Sequence, residues 1–364
     1  MPSLPPEQAL AAGCWVKWIA GASNQDVAAI EDLAGLYALA GVHCLDLAAD
    51  PAVVAAARRG LAWAEQRGGA RPWLMVSLSD GADPHFRKAW FDPRRCPADC
   101  PRPCERVCPA LAIDAGGVLE HRCYGCGRCL PACPHGLIEE RDRLLAADAV
   151  PQLLRELRPD AVELHTRLGR SAAFAARLGQ IVAAGVPLQR LAVSCGLAPA
   201  AGTAGGGPPA LEAGAEASAE ELAAELWDRF RQLRAAAQRP LWQLDGRPMS
   251  GDLGSGGTAH AAVRLLQRVA PLAPPGPLQL AGGTNAHTLE LVRRSAVAAV
   301  AGVAFGGVAR SLLQPLLQEA QARGRRLLDD PELQPRALAI ARSLVEPWLR
   351  RSSLGGGDPL VAAG

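Results

Sequence analysis

No uncharged apolar run in the 364-residue chain reaches the roughly 18 residues that a membrane-crossing helix needs, so no transmembrane segment is expected. The N-terminus, Met1-Pro2-Ser3-Leu4-Pro5-Pro6-Glu7, has neither the basic stretch nor the apolar core of a secretory leader, and a cytoplasmic location is expected. Charge of one sign is missing too. A formal net charge of +2 gives no bias toward nucleic acid or an anionic membrane surface. Lysine and tyrosine are scarce, at two residues each, against 38 glycines and 30 prolines; that balance reads as genomic base composition and carries no function. Most of the chain also lacks cysteine: outside 96–133 there are only Cys14, Cys44 and Cys195. A dispersed disulfide framework therefore fits poorly. Apolar residues are plentiful, 49% of the total, enough to bury a large core.

The remaining eight cysteines form two runs, each ending in Cys-Pro. The second, Cys123-Tyr124-Gly125-Cys126-Gly127-Arg128-Cys129-Leu130-Pro131-Ala132-Cys133-Pro134, matches the C-x2-C-x2-C-x3-C-P spacing of bacterial two-cluster ferredoxins at every position. Tight x2 gaps let three thiolates converge on one cubane. Gly125 and Gly127 relieve crowding between them, and Pro134 turns the chain away after the last ligand. In that pattern the fourth cysteine of each run serves the other cluster, so Cys108 is expected with Cys123, Cys126 and Cys129. The first run, Cys96-Pro97-Ala98-Asp99-Cys100-Pro101-Arg102-Pro103-Cys104-Glu105-Arg106-Val107-Cys108-Pro109, keeps the terminal C-x3-C-P but widens both earlier gaps to x3. Cys96, Cys100 and Cys104 are expected to join Cys133 around a second cluster. Two [4Fe-4S] clusters are the expectation, and the widened gaps leave an incomplete [3Fe-4S] form open for the first. Paired zinc sites are the alternative, but they favour C-x2-C knuckles separated by a longer spacer. His121 and His135 flank the runs and are expected to be solvated or bonded to cluster sulfur, not to act as ligands.

Around this block the chain alternates short apolar strands with amphipathic helical patterns, eight pairs in all, which predicts an α/β fold of the (β/α)8 TIM-like barrel type. The expected strands are 15–20, 43–48, 72–78, 161–165, 190–195, 240–245, 277–281 and 297–303. Four regions follow from this reading. Residues 1–90 carry the first three strands, 91–141 a ferredoxin-like module inserted in the third βα loop, 142–329 the rest of the barrel, and 330–364 a C-terminal helical extension and tail. The fourth helix is expected to begin near Arg143. The Ala/Gly/Pro-rich stretch 197–219 cannot build a core and is expected to be a flexible loop, as is the glycine-rich tail after Leu354. Barrels place their active sites on the face where βα loops lie, so the clusters are expected to overlook the barrel mouth.

Alternation along the strands sets Lys17, Cys44, Asp46, Glu163, His165, Ser194, Gln243, Asp245 and Gln279 inward, where a purely structural barrel would carry Val, Ile and Leu. Buried charges cost several kcal/mol unless paired. These residues therefore form an internal network or line a wet pocket, and in an enzyme Lys17, Glu163, His165 and Asp245 are the acid–base candidates. The glycine-rich turns after strands seven and eight, with Gly282, Gly283, Thr284, Asn285, Gly306 and Gly307, are candidates for holding an anion or a flavin phosphate. Tight turns with Asn285 as a helix cap are the plainer alternative. The loop 245–258 is also rich in glycine.

Taken together, GCWVKWIAGASNQD at 13–26, AGVHCLDLAADP at 40–51, the cysteine block and LAGGTNAH at 280–287 resemble the cyanobacterial LdpA (light-dependent period) family. The resemblance spans nearly the whole chain, and its most specific parts are the N-terminal stretch and the cysteines. It implies an iron–sulfur redox sensor that reports light-dependent cellular redox state to the circadian clock. Clock input kinases, Kai oscillator proteins and redox carriers would be its partners. The rival readings are a flavin-dependent barrel oxidoreductase with a ferredoxin electron-transfer module, and a simple electron carrier.

Overall fold

The computed structural model describes residues 4–142, 144–196, 217–246, 256–295, 297 and 300–351. Three strands open the fold: β1 (Trp15–Gly21), β2 (Cys44–Ala48) and β3 (Trp73–Ser79). Four short ones follow, β4 (Arg87–Trp90), β5 (Ile113–Asp114), β6 (Gly117–Val118) and β7 (Glu139–Asp142). The chain then returns to β8 (Ala161–His165), β9 (Arg190–Cys195), β10 (Pro240–Asp245), β11 (Leu278–Ala281) and β12 (Val300–Phe305). All eight long strands pair in parallel and close into a barrel in the order β1-β12-β11-β10-β9-β8-β3-β2.

In most barrel strands the two side-chain sets divide as period-two alternation requires; in β12 a register shift that skips Ala301 leaves Ala301 in the lumen while Val303 and Phe305 face outward. Leu45, Leu47, Val76, Leu78, Val162, Leu164, Val193, Leu244, Val303 and Phe305 point outward into one continuous core shared with the surrounding helices. The opposite set fills the lumen in layers. At the bottom, Trp15, Cys44, Met75, Ala161, Ala192, Leu241 and Ala301 make an apolar plug, to which helix Pro6–Ala12 adds Leu10. The layer above it is polar. It contains Lys17, Asp46, Ser77, Glu163, Ser194, Gln243 and Gln279, all buried.

The cysteine block lies between β3 and β8. Its root is the antiparallel pair β4–β7, with Arg87 opposite Asp142 and Trp90 opposite Glu139. Arg141 stacks on Trp90 at 3.5 Å, and Arg87 reaches Asp142 at 3.3 Å. The pair also displaces the fourth helix. It runs Ala149–Leu157 and does not begin near Arg143, because Glu139–Asp142 are taken up as strand; Arg143 itself lies outside the described residues. The last barrel strand runs Val300–Phe305, two residues beyond its expected end, and residues 298 and 299 of the expected span lie outside the described residues. Polar contacts help tie the block to the barrel. Lys88 Nζ donates to Gln25 Oε1 and to the Glu120 carbonyl, both at 2.6 Å, and the Gln25 amide donates to the His121 carbonyl at 3.0 Å. Helix Leu333–Leu349 closes the other end of the chain against helix Val27–Ala40. Residues 197–216, 247–255 and 352–364 lie outside the described residues. Among those described, no helix is long and apolar enough to cross a membrane.

Candidate iron–sulfur and barrel-mouth site

Each cysteine run wraps into a loop ending in a four-residue helix, Pro103–Arg106 carrying Cys104 and Cys129–Ala132 opening on Cys129. The second loop folds back tightly because Gly125 and Gly127 take φ of 72° and 75°, a left-handed region that side chains with a Cβ rarely enter. Beneath the loops, Ala89, Phe91, Ala112, Ile113 and Ile138 form a small apolar core with Cys104, Cys123 and Cys129.

This folding sorts the thiols into two groups that cross between the runs. Cys108 lies within electrostatic reach of Cys123, Cys126 and Cys129. Cys133 lies near Cys96 and Cys104, and Cys100 adjoins Cys96. Cys108, Cys123, Cys126 and Cys129 line one cavity, walled by Ala89, Ala112, Ile113 and Leu130. Backbone N–H groups already point at sulfur, among them Ala89 to Cys123 at 3.4 Å, Ala112 to Cys108 at 3.2 Å and Leu137 to Cys133 at 3.4 Å. Burial raises the thiols of Cys96, Cys104, Cys108 and Cys126 and pushes Cys129 up to about 12. Such thiols stay protonated near neutral pH until a metal ion displaces the proton. Two sets of four soft donors, apolar walls and N–H donors to sulfur fit iron–sulfur clusters. His121 and His135 are both exposed.

The same cysteine loop forms the roof of a second space. A cavity of about 110 Å³, partly open to solvent, is bounded by Cys126 and Tyr124 above and by Ser77, Glu163, His165, Gln243 and Asp245 from the lumen. Gly282, Gly283, Thr284, Gly306 and Gly307 complete its rim, together with Arg310. Gly306 precedes helix Gly307–Ala322 without any side-chain cap. Arg310, in the first turn, bonds the Ala20 carbonyl and lies 3.6 Å over the Tyr124 ring. Asn285 is not part of this rim. Its side chain donates to Thr258 Oγ1 at 3.2 Å and accepts from the His287 amide at 2.9 Å, the local bonds of a tight turn.

The lumen beneath is an internal network that opens into the cavity, so both expected readings of the polar layer hold in part. Lys17 Nζ bonds Asp46 Oδ2 at 2.9 Å and also Glu163. Ser77 donates to Asp46 at 2.7 Å, and Gln243 Nε2 donates to Glu163 Oε1 at 2.7 Å. His165 Nε2 meets Glu163 Oε1 at 3.0 Å, and Ser194 donates to Asp245. Burial opposes the charged form of Lys17, but Asp46 and Glu163 outweigh it and hold the ammonium charged. Of those two carboxylates Glu163 holds its charge more firmly: burial opposes this too, yet Lys17 and His165 lower its pKa, while burial raises that of Asp46. Burial, reinforced by Glu163, pushes Asp245 up to about 6. Lys17 thus serves as a counter-ion sealed below the mouth, whereas Glu163, His165 and Asp245 face the cavity. Sequence reasoning passed over Tyr124, Arg310, Asp83 and His85. Arg310 had one legible sign, its place four residues after Gly306.

Comparison with known proteins follows the same division. Residues 153–347 match the light dependent period A C-terminal domain, and residues 96–144 match the LdpA Fe-S cluster-binding domain. The chain is 46% identical to Light dependent period A of Synechococcus elongatus, covering 98% of this chain and 97% of that one. The chain belongs to the LdpA family. Its cysteine block is thus the iron–sulfur cluster-binding domain of an LdpA protein. Solved structures offer more distant likenesses. Tryptophan synthase of Mycobacterium tuberculosis is 14% identical with a TM-score of 0.43, covering 98% of this chain and all of that one. A fructose-bisphosphate aldolase of Coccidioides immitis is 12% identical with a TM-score of 0.44, over 96% and 95% of the two chains.

Proposed function

We propose that this LdpA protein is a redox sensor that holds two [4Fe-4S] clusters and passes the light-dependent redox state of the cell to the circadian clock. Cys108, Cys123, Cys126 and Cys129 would hold one cluster, and Cys96, Cys100, Cys104 and Cys133 the other. The observation that carries the reading is the shared wall: Cys126 lines both the thiol cavity and the barrel mouth. A cluster held by these thiols would supply a reversible one-electron change in charge, with a reduced carrier of the photosynthetic chain as the electron donor. Arg310 is the cation placed to respond. It stacks on Tyr124, two residues from Cys126, and ties that ring to the end of β1 and to the helix after β12. A changed charge beside this cation alters the order of the loops at 21–25 and 282–284, and with it a surface that a partner reads. Clock input kinases and Kai proteins are the partners proposed, in the cytoplasm.

The test is a cyanobacterial strain carrying Cys126→Ala. Cluster absorbance in the purified protein is expected to fall and the clock period to stop depending on light intensity. An unchanged light response in a strain whose protein lacks the cluster would contradict the reading. A second reading, a flavin-dependent oxidoreductase, is favoured by the glycine-rich rim and by Glu163, His165 and Asp245 in the same cavity. Flavin bands released by acid from the purified protein would favour it; cluster absorption alone, with partner binding, favours the sensor.

A further inference from the structure

One group of potential ligands lies apart from the eight cysteines. Asp83 and His85 come from the single turn Pro84–Phe86 and the residue before it, at the root of β4, while His165 ends β8. Donor atoms of these three side chains all fall within 4.8 Å of one another. Asp83 Oδ1 is 2.8 Å from His85 Nδ1 and 4.0 Å from His165 Nδ1, and the two imidazoles stand 4.9 Å apart, tilted by 54°. We propose that Asp83, His85 and His165 bind one divalent first-row transition-metal ion on the wall of the barrel mouth.

Bond lengths of about 2.0–2.2 Å to zinc set neighbouring donors roughly 3–4 Å apart, so rotations of the three side chains that close their spacing, at most 4.8 Å, by about an ångström bring them onto one ion. Two imidazoles and one carboxylate are the donor set of three-ligand sites for zinc or non-haem iron, which keep open positions for a further ligand. Here the open positions face the cavity, since His85 and His165 both line it. Asp83 and His165 are only 6% and 7% exposed, which limits competition from bulk water. Outer contacts are in place as well. Glu163 Oε1 takes His165 Nε2 at 3.0 Å, leaving Nδ1 toward the site, with Asp83 beyond hydrogen-bond reach at 4.0 Å. A carboxylate on the far nitrogen is the usual orienting partner of a metal-bound histidine. Asp83 Oδ1 also accepts from the His85 amide at 2.9 Å, and Arg167 lies 3.8 Å from the other oxygen, so Oδ1 is the one turned to the metal. Because two ligands sit at the root of the inserted block and the third on the barrel, the ion would staple one to the other.

Equilibrium dialysis of the anaerobically purified, cluster-loaded full chain against buffered Zn2+, with zinc, iron and sulfide measured per chain, tests the proposal. One zinc per chain is expected at micromolar free metal, with iron and sulfide unchanged. His85→Ala, whose side chain is 31% exposed, is expected to retain its iron and bind zinc at least about tenfold more weakly. No zinc bound to the unaltered chain, or equal affinity in His85→Ala, would overturn the site. Zinc-edge X-ray absorption of the unaltered chain supplies a measurement that needs no variant: nitrogen and oxygen donors alone support the assignment, and sulfur donors or a matching loss of iron overturn it.

Discussion

Lys17 is fully buried with its ammonium between Asp46 and Glu163, and a charge in that position contributes to stability only while its partners remain. Lys17→Met leaves the Glu163 carboxylate without its main counter-ion in a dry layer. A loss of about 3–5 kcal/mol is expected in urea unfolding; a loss under about 1 kcal/mol would show that water reaches the layer. His43, at the bottom of the barrel, behaves oppositely. Its ring stacks on Trp15, its Nδ1 accepts the Val16 amide at 3.0 Å, and burial holds its pKa down to about 4 from 6.5. The unfolded chain therefore binds more protons between those values. Stability is complete above pH 6.5 and is lost as pH falls toward 4. From about pH 7.5 to about 5.5 the expected loss is about 1 kcal/mol, and His43→Gln should remove that dependence in thermal melts. The inward set was legible because alternation with period two leaves little freedom: once Leu45, Leu47, Val162 and Leu164 face the helices, Asp46 and Glu163 must face the lumen. Asp83 and His85 were not. A single residue separates them, and the pair gains meaning only because β8 brings His165 beside it.

At the scale of elements, the two cysteine runs act as one unit, since each places its last thiol among the first three of the other. Cys133→Ala belongs to the second run in sequence but should damage the cluster of the first. Electron paramagnetic resonance of the reduced variant is expected to lose or alter the signal of the Cys96-Cys100-Cys104 cluster and keep the other; Cys108→Ala should give the converse. Loss of the second-run signal alone in Cys133→Ala would refute the crossing. The spacing C-x2-C-x2-C-x3-C-P made this grouping readable because a loop that short allows few alternatives. Element boundaries were less readable. Glu139–Asp142 is exposed and charged, without strand-like alternation, and becomes a strand only by pairing with Arg87–Trp90 about 50 residues earlier in the chain. That pairing moved the next helix to Ala149.

For the whole molecule, the decisive arrangement is an iron–sulfur block hung from one loop of a barrel so that Cys126 and Tyr124 roof its mouth. The sequence placed the block in the third loop and above the mouth, because a barrel connection carries any insertion to one face. It could not show that Arg310, from the far side of the barrel, clasps the Tyr124 ring. That contact depends on the closure of β12 against β1. Redox sensing requires the clasp to transmit a change of charge. Hydrogen exchange of the anaerobic, cluster-loaded protein, oxidised against reduced, measures this directly. The account predicts altered protection at 21–25 and 282–284 with none at the apolar plug around 161 and 192, and identical exchange at the mouth in both states would contradict it.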